Sequence, residues 1–201
     1  MKTLKVQRIF MIAVATCLLA PSATWARDTL QYVTSVDATD LPGKKRTSLG
    51  LYLTAGEVSG FREAHEDALF IDIRTRAEVA FVGIAAEADR NIPYMVMDDF
   101  WAFDEAKGTY SMAVNSEFAP LIADLVSERG LSKDAPIILI CRSGSRSARA
   151  SDLLAQLGYT SVISVVDGFE GDKAADGVRN VNGWKNSGLE WSYKIRSEQA
   201  Y

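Results

Sequence analysis

The six residues "PIILIC" (Pro136 to Cys141) narrow the fold class more than any other part of the chain. They form an unbroken apolar run with no polar alternation. Such a strand has both faces covered, the mark of a central strand in a parallel sheet with helices on either side. Four further apolar runs fit beside it: "LYLT" (Leu51 to Thr54), "ALFIDIR" (Ala68 to Arg74), "NIPYMVM" (Asn91 to Met97) and "SVISVV" (Ser161 to Val166). Between them lie helical patterns. "AGEVSGFREAHED" and "TRAEVAFVG" are short ones. Phe118, Leu121, Ile122 and Leu125 stand at i, i+3, i+4 and i+7, with Asn115 or Ser116 before them as caps and Gly130 after them. Ala150, Leu153, Leu154 and Leu157 repeat that spacing before Gly158. Strands alternating with helices predict an open, mostly parallel α/β sheet in three layers. Ligands of such sheets sit beyond the carboxyl ends of the strands. Cys141 stands at one of these ends. Two segments exceed simple connections, residues 98–112 and 167–183, and their aromatic and glycine content predicts ordered loops flanking a site.

The N-terminus reads as a leader. Lys2, Lys5 and Arg8 precede a 12-residue apolar run from Ile9 to Ala20, followed by Pro21 and small residues. That is the pattern of a secretory signal peptide, and the run falls short of the ~20 residues a membrane-spanning helix needs. Cleavage after Ala26 leaves 201 − 26 = 175 residues, enough for one domain with its own core. Residues 27–50 are polar and irregular and read as an N-terminal arm, with the domain proper at 51–195. The expected location is outside the cytoplasm, in the periplasm, with no stable membrane insertion after cleavage. The leader removes three cations, so the net charge goes from −4 to −4 − 3 = −7, which argues against nucleic-acid binding. It also removes Cys17. The remaining Cys141 can form no internal disulfide and no thiolate-rich metal site.

The loop after "PIILIC" is Arg-Ser-Gly-Ser-Arg-Ser, and then a helix begins. This is an anion cradle. Gly144 lets successive amide N–H groups turn inward, and the helix starting near Arg146 adds its positive end. Fixed dipoles of this kind favour thiolate over thiol. Arg142, Arg146 and Arg149 can grip an anion through forked hydrogen bonds, while Ser143, Ser145 and Ser147 offer hydroxyls. Cysteine phosphatases place an arginine six positions after the cysteine. Here that position is Ser147, and Arg146 comes one residue early. The spacing favours sulfur transfer over phosphoryl transfer.

The segment "CRSGSRS" (Cys141 to Ser147) resembles the active-site loop of the rhodanese superfamily of sulfurtransferases. "FIDIRTRAEVAFVG" (Phe70 to Gly83) looks like that family's upstream strand-and-helix motif, with Asp72, Arg74 and Glu78 in order. "GWKNSGLEW" (Gly183 to Trp191) looks like its C-terminal motif, so the resemblance covers about residues 51–193. It implies a five-stranded parallel sheet with strand order 3-2-4-5-1 and Cys141 ending the fourth strand. It implies a persulfide on Cys141, formed from a small anionic donor such as thiosulfate and passed to a thiol, to cyanide or to an acceptor protein. No metal or organic cofactor is implied. The chain departs from the family in "IAAEADRNIPY", where a His-containing run is common, and in its enlarged loops. A persulfide carrier or partner-docking module is therefore one alternative, and a cysteine-dependent phosphatase or arsenate reductase is another.

Other residues have simpler roles. Arg74 and Glu78, at i and i+4, are expected to pair across the strand-to-helix turn. His65 lies in a polar surface stretch. Trp101, Trp184 and Trp191 are expected to pack. Phe169 is placed either in the pocket wall or in the core, and Lys173 and Arg179 either extend the positive rim or, by default, lie in a solvated loop.

Overall fold

The computed structural model describes residue 32 and residues 34–201, so the leader expected at 1–26 lies outside the described residues. Five strands form the sheet: β1 (Tyr52–Leu53), β2 (Leu69–Asp72), β3 (Arg90–Asn91), β4 (Ile137–Ile140) and β5 (Val162–Val165). All their pairings are parallel, with Ile71 opposite Leu139, Ile138 opposite Ile163 and Tyr52 opposite Ser164. The spatial order is β3-β2-β4-β5-β1, the order that the family resemblance implies.

Strand alternation divides the core. Leu69, Ile71, Ile137, Leu139 and Val162 point to one face, where Phe118, Ile122 and Leu125 of helix α3 (Phe118–Glu128) and Ala150 and Leu154 of helix α4 (Ser145–Gln156) cover them. Phe70 points to the other face, against Trp184 at 5.3 Å, with Arg62 of helix α1 (Val58–Ala64) over its ring. Helix α2 (Arg76–Val82) follows β2 directly. Both faces of β4 are buried, as its unbroken apolar run requires.

The third strand is shorter than its sequence suggests. Only Asn91 of "NIPYMVM" belongs to β3. Pro93 has no N–H to give to a sheet, and beyond it Met95–Met97 pairs antiparallel with Met112–Val114. A second antiparallel pair, Phe103–Asp104 with Thr109–Tyr110, extends this into a two-tier hairpin arm over residues 95–114. The polar arm before β1 is also built. Residues 43–45 make one 3-10 turn, Lys45 Nζ meets Asp172 at 2.8 Å, and Ser48 N–H and Oγ–H donate to Asp152 Oδ1 of α4. Among the described residues, no helix is long and apolar enough to cross a membrane.

Candidate active site

Cys141 follows β4 at the carboxyl end of the sheet and is 1% exposed. The chain then turns through Gly144, whose φ of 91° few side-chain-bearing residues tolerate. A Cβ there would lie 2.1 Å from the carbonyl oxygen of Val166. The β5 loop clasps the cysteine loop in return. Phe169 N–H donates to Cys141 O at 2.8 Å, and Glu170 N–H donates to Arg142 O at 3.0 Å. This crossing ties the backbone around the sulfur to the loop after β5.

Gly144 N–H points at Cys141 Sγ at 3.2 Å. The second polar neighbour of the sulfur is a hydroxyl, Ser147 Oγ, at 3.6 Å. That hydroxyl receives Ser164 Oγ–H at 3.0 Å and donates to Gly144 O at 2.9 Å. Ser147 therefore sits beneath the sulfur, fully buried, and does not line the cavity as Ser143 and Ser145 do. Ser164, inward-facing on β5, was missed by sequence reasoning, because its contact needs the register of β5 against β4.

The supporting carboxylates and arginines form pairs that differ from the expected ones. Arg146 turns its guanidinium onto Glu78, Nη1 to Oε2 at 2.7 Å and Nη2 to Oε1 at 2.5 Å. Burial alone would push Glu78 up, but the two Arg146 bonds and those from Thr75 outweigh it and hold the carboxyl at about 2. Burial also works against the charge on Arg146, and Glu78 overcomes it, so that guanidinium is held above its usual range. The expected Arg74–Glu78 pair does not form. Thr75 is the N-cap of α2, so Arg74 precedes the helix and i, i+4 geometry does not apply to it. Arg74 instead pairs with Asp72, both fully buried, donates to Gly83 O at 2.7 Å and lies 3.8 Å over the Phe169 ring. Asn91 Nδ2–H bonds Asp72 O and Arg74 O, joining β3 to this turn. Asp72 and Arg74 thus brace the motif, and Phe169 is a core residue.

Above the sulfur opens a cavity of about 500 Å³. Arg142, Arg146, Arg149, Arg179 and Lys44 line it together with Met95, Asp104, Lys107, Tyr110 and Met112 of the hairpin arm. Of the two places read for Arg179, the structure shows the positive rim of the site rather than a solvated loop. Lys44 was not anticipated, although the basic run Lys44-Lys45-Arg46 in an otherwise mixed arm was a visible signal. The loop expected at 98–112 does flank the site, through Tyr110 and Met112, but as part of a hairpin whose form depends on the turn after Pro93. His65 stacks on Phe61 at 4.1 Å and does not line the cavity. Trp184 is buried and donates Nε1–H to Glu190 O, whereas Trp101, expected to pack, is exposed on the arm.

The profile of the Rhodanese-like domain family matches residues 54–175 of this chain. The chain belongs to the rhodanese-like family. This rhodanese-like protein is 27% identical over 129 residues to the uncharacterized protein RP600 of Rickettsia prowazekii, a match covering 64% of the chain and 86% of that relative. The crystal structure of Rv0390 from M. tuberculosis is similar to it with a TM-score of 0.53 and 29% identity, covering 71% of this chain and 97% of that one. A shorter match, 36% identical over 62 residues, links it to a Schizosaccharomyces pombe protein named "Putative thiosulfate sulfurtransferase, mitochondrial". That match spans 31% of this rhodanese-like chain and 30% of the yeast one.

Proposed function

We propose that this rhodanese-like protein is a sulfurtransferase that carries a sulfane sulfur on Cys141. The observation that carries this reading is the Gly144 N–H held 3.2 Å from Sγ at the base of a cation-lined cavity. Arg142, Arg149, Arg179 and Lys44 draw a small anion such as thiosulfate toward the sulfur. The Cys141 thiolate attacks the outer sulfur of the donor, an S–S bond forms on the enzyme, and sulfite leaves with the electron pair of the broken bond. The charge of the resulting persulfide lies within reach of the Gly144 amide, a preorganised donor of the oxyanion-hole kind. A thiophilic acceptor, a thiol or cyanide, then takes the outer sulfur and restores the thiolate. Phosphoryl transfer is disfavoured. The loop arginine that would grip a phosphoryl group is bound bidentately to Glu78, and the position six after the cysteine is a buried serine.

The leader read at residues 1–26 supports action outside the cytoplasm, in the periplasm. The test of the chemistry is intact mass after mixing with excess thiosulfate, beside a Cys141→Ser control. The expected result is a gain of about 32 Da, one sulfur, on the wild type alone, removed by cyanide with release of thiocyanate. A demonstrably free Cys141 thiol that gains no mass would refute the reading. Thiosulfate loading without repeated turnover on cyanide would favour a carrier.

A further inference from the structure

The hairpin arm carries a patch that small-molecule chemistry leaves unused. On the bend between its two tiers and at the start of the outer tier, Phe100, Trp101 and Phe103 are 91%, 58% and 60% exposed. Tyr110 joins them edge-on, 5.7 Å from the Trp101 ring and 6.3 Å from the Phe103 ring. Tyr110 also lines the cavity, so the aromatic surface runs from the bend at Phe100 and Trp101 to the mouth above Cys141. Trp101 holds a φ of 52°, a left-handed backbone that costs a bulky residue free energy. Its N–H donates to Asp98 O at 2.9 Å, so the turn presents the ring outward in a defined geometry. Exposed aromatic clusters of this kind mark binding surfaces.

The same mouth also carries cations, beside the Asp104–Lys107 pair of the arm. Lys44, Arg142, Arg149 and Arg179 line the cavity and form no ion pair among the described residues. This unmatched positive charge sits on a chain whose net charge is −4. The sulfur itself is at the cavity floor, so an acceptor thiol must project inward to reach it.

We propose that the sulfur acceptor is a protein presenting its thiol on an extended acidic segment, which docks across the aromatic arm. The proposal rests on the sulfurtransferase reading. Carboxylates beside the acceptor cysteine meet the unpaired cations of the mouth, and an apolar neighbour packs on Phe100 and Phe103. The acceptor thiolate attacks the outer sulfur of the Cys141 persulfide. The S–S bond to Cys141 breaks, an S–S bond to the acceptor forms, and the electron pair stays on Cys141 as thiolate. The proton given up by the acceptor thiol goes to the outer sulfur, so charge balances and no oxidant or reductant is needed. A second copy of this chain is a poor acceptor, because Cys141 is buried and Cys17 lies in the expected leader. A lipid surface lying on the same patch would close the mouth.

The experiment loads Cys141 with thiosulfate, removes the excess, and follows transfer to synthetic peptides with one cysteine each. One peptide flanks the cysteine with Glu and Asp and carries a nearby Leu; its control has Lys in place of each acid. The expected result is transfer to the acidic peptide roughly tenfold faster or more at low salt, an advantage that shrinks as salt rises. The Phe100→Ser, Phe103→Ser double variant is expected to slow that transfer about fivefold. Its turnover of thiosulfate with cyanide should be unchanged, since neither residue lines the cavity. Equal rates for the two peptides, or full peptide transfer by the double variant, would overturn the proposal. So would a dimer in sedimentation that the variant dissolves, which makes the patch a self-interface. Binding to vesicles of equal parts phosphatidylcholine and phosphatidylglycerol that the variant abolishes would assign it to a membrane and overturn it likewise. Failure of Cys141 to take up sulfur at all is a separate result and removes the sulfurtransferase reading itself.

Discussion

Replacing Glu78 by Gln tests whether the pair with Arg146 is what holds the cysteine loop against α2. The carboxyl sits at about 2 in the folded protein, against roughly 4.3 for a free glutamate. A shift of about 2 pK units at ~1.4 kcal/mol each gives about 3 kcal/mol of stability linked to its ionisation. A second route gives a similar figure, because removing one partner of a buried pair typically costs about 3–5 kcal/mol. The side chains of Arg146 and Glu78 are 9% and 20% exposed, so solvent screens the pair only in part and the lower end applies. Gln can still accept from Thr75 N–H, which keeps the capping box and leaves the charge as the main change. The sign follows from the direction of the shift. The folded value lies below the unfolded one, so the contribution is fully present above the unfolded value and is lost as pH falls toward 2. Urea unfolding at pH 7 should therefore show Glu78→Gln less stable by about 3 kcal/mol with an unchanged m-value. The gap should close progressively between about pH 5 and pH 2. A loss under about 1 kcal/mol at pH 7, the range of an exposed ion pair, would refute the argument. So would a gap that does not change with pH.

Three further outcomes are expected. Gly144→Ala combines a left-handed backbone with a Cβ 2.1 Å from Val166 O, and should lose roughly 3 kcal/mol or more in thermal or urea unfolding. Where it still folds, it should take up no sulfur by intact mass. Arg142→Gln removes an exposed cation that lines the cavity without an ion pair among the described residues; it should raise the KM for thiosulfate about fivefold at low salt and leave kcat and the melting temperature in place. Lys45→Met breaks the 2.8 Å pair with half-exposed Asp172 and should cost about 1 kcal/mol. Freeing residues 34–50 should also withdraw Lys44 from the cavity, seen as a higher KM for thiosulfate and faster proteolysis of that segment.

The parts of the fold that were legible are those in which one residue pattern admits one environment. "PIILIC" carries no polar residue, so it could only be central, and β4 has β2 and β5 on its two sides. Gly144 was legible because an anion cradle needs a backbone turn that glycine makes cheaply, and its φ is 91°. "NIPYMVM" failed for a physical reason. Apolar residues on either side of Pro93 serve two different sheets, and hydrophobicity alone does not say which neighbour a strand will choose. The Arg74–Glu78 error is of another kind. Thr75-Arg76-Ala77-Glu78 is a capping box, and reading it as one would have started the helix after Thr75 and freed both side chains for other partners.

What no local pattern could supply is the partner across the fold. Glu78 and Arg146 stand 68 residues apart and Lys45 and Asp172 stand 127 apart, and each pair exists only once the sheet order is set. The site has correspondingly two layers of origin. The sulfur and the Gly144 amide come from the turn between β4 and α4, where "CRSGSRS" carries the proposed chemistry, and the clasp comes from the first residues after β5. The cavity above them comes from the arm around Lys44, the hairpin over 95–114 and the loop bearing Arg179, three segments without strong periodicity. Chemistry at the floor and recognition at the rim are thus separable. Changes at Phe100 and Phe103 should alter which acceptor is served without altering whether sulfur is taken up, while Gly144→Ala should stop uptake itself.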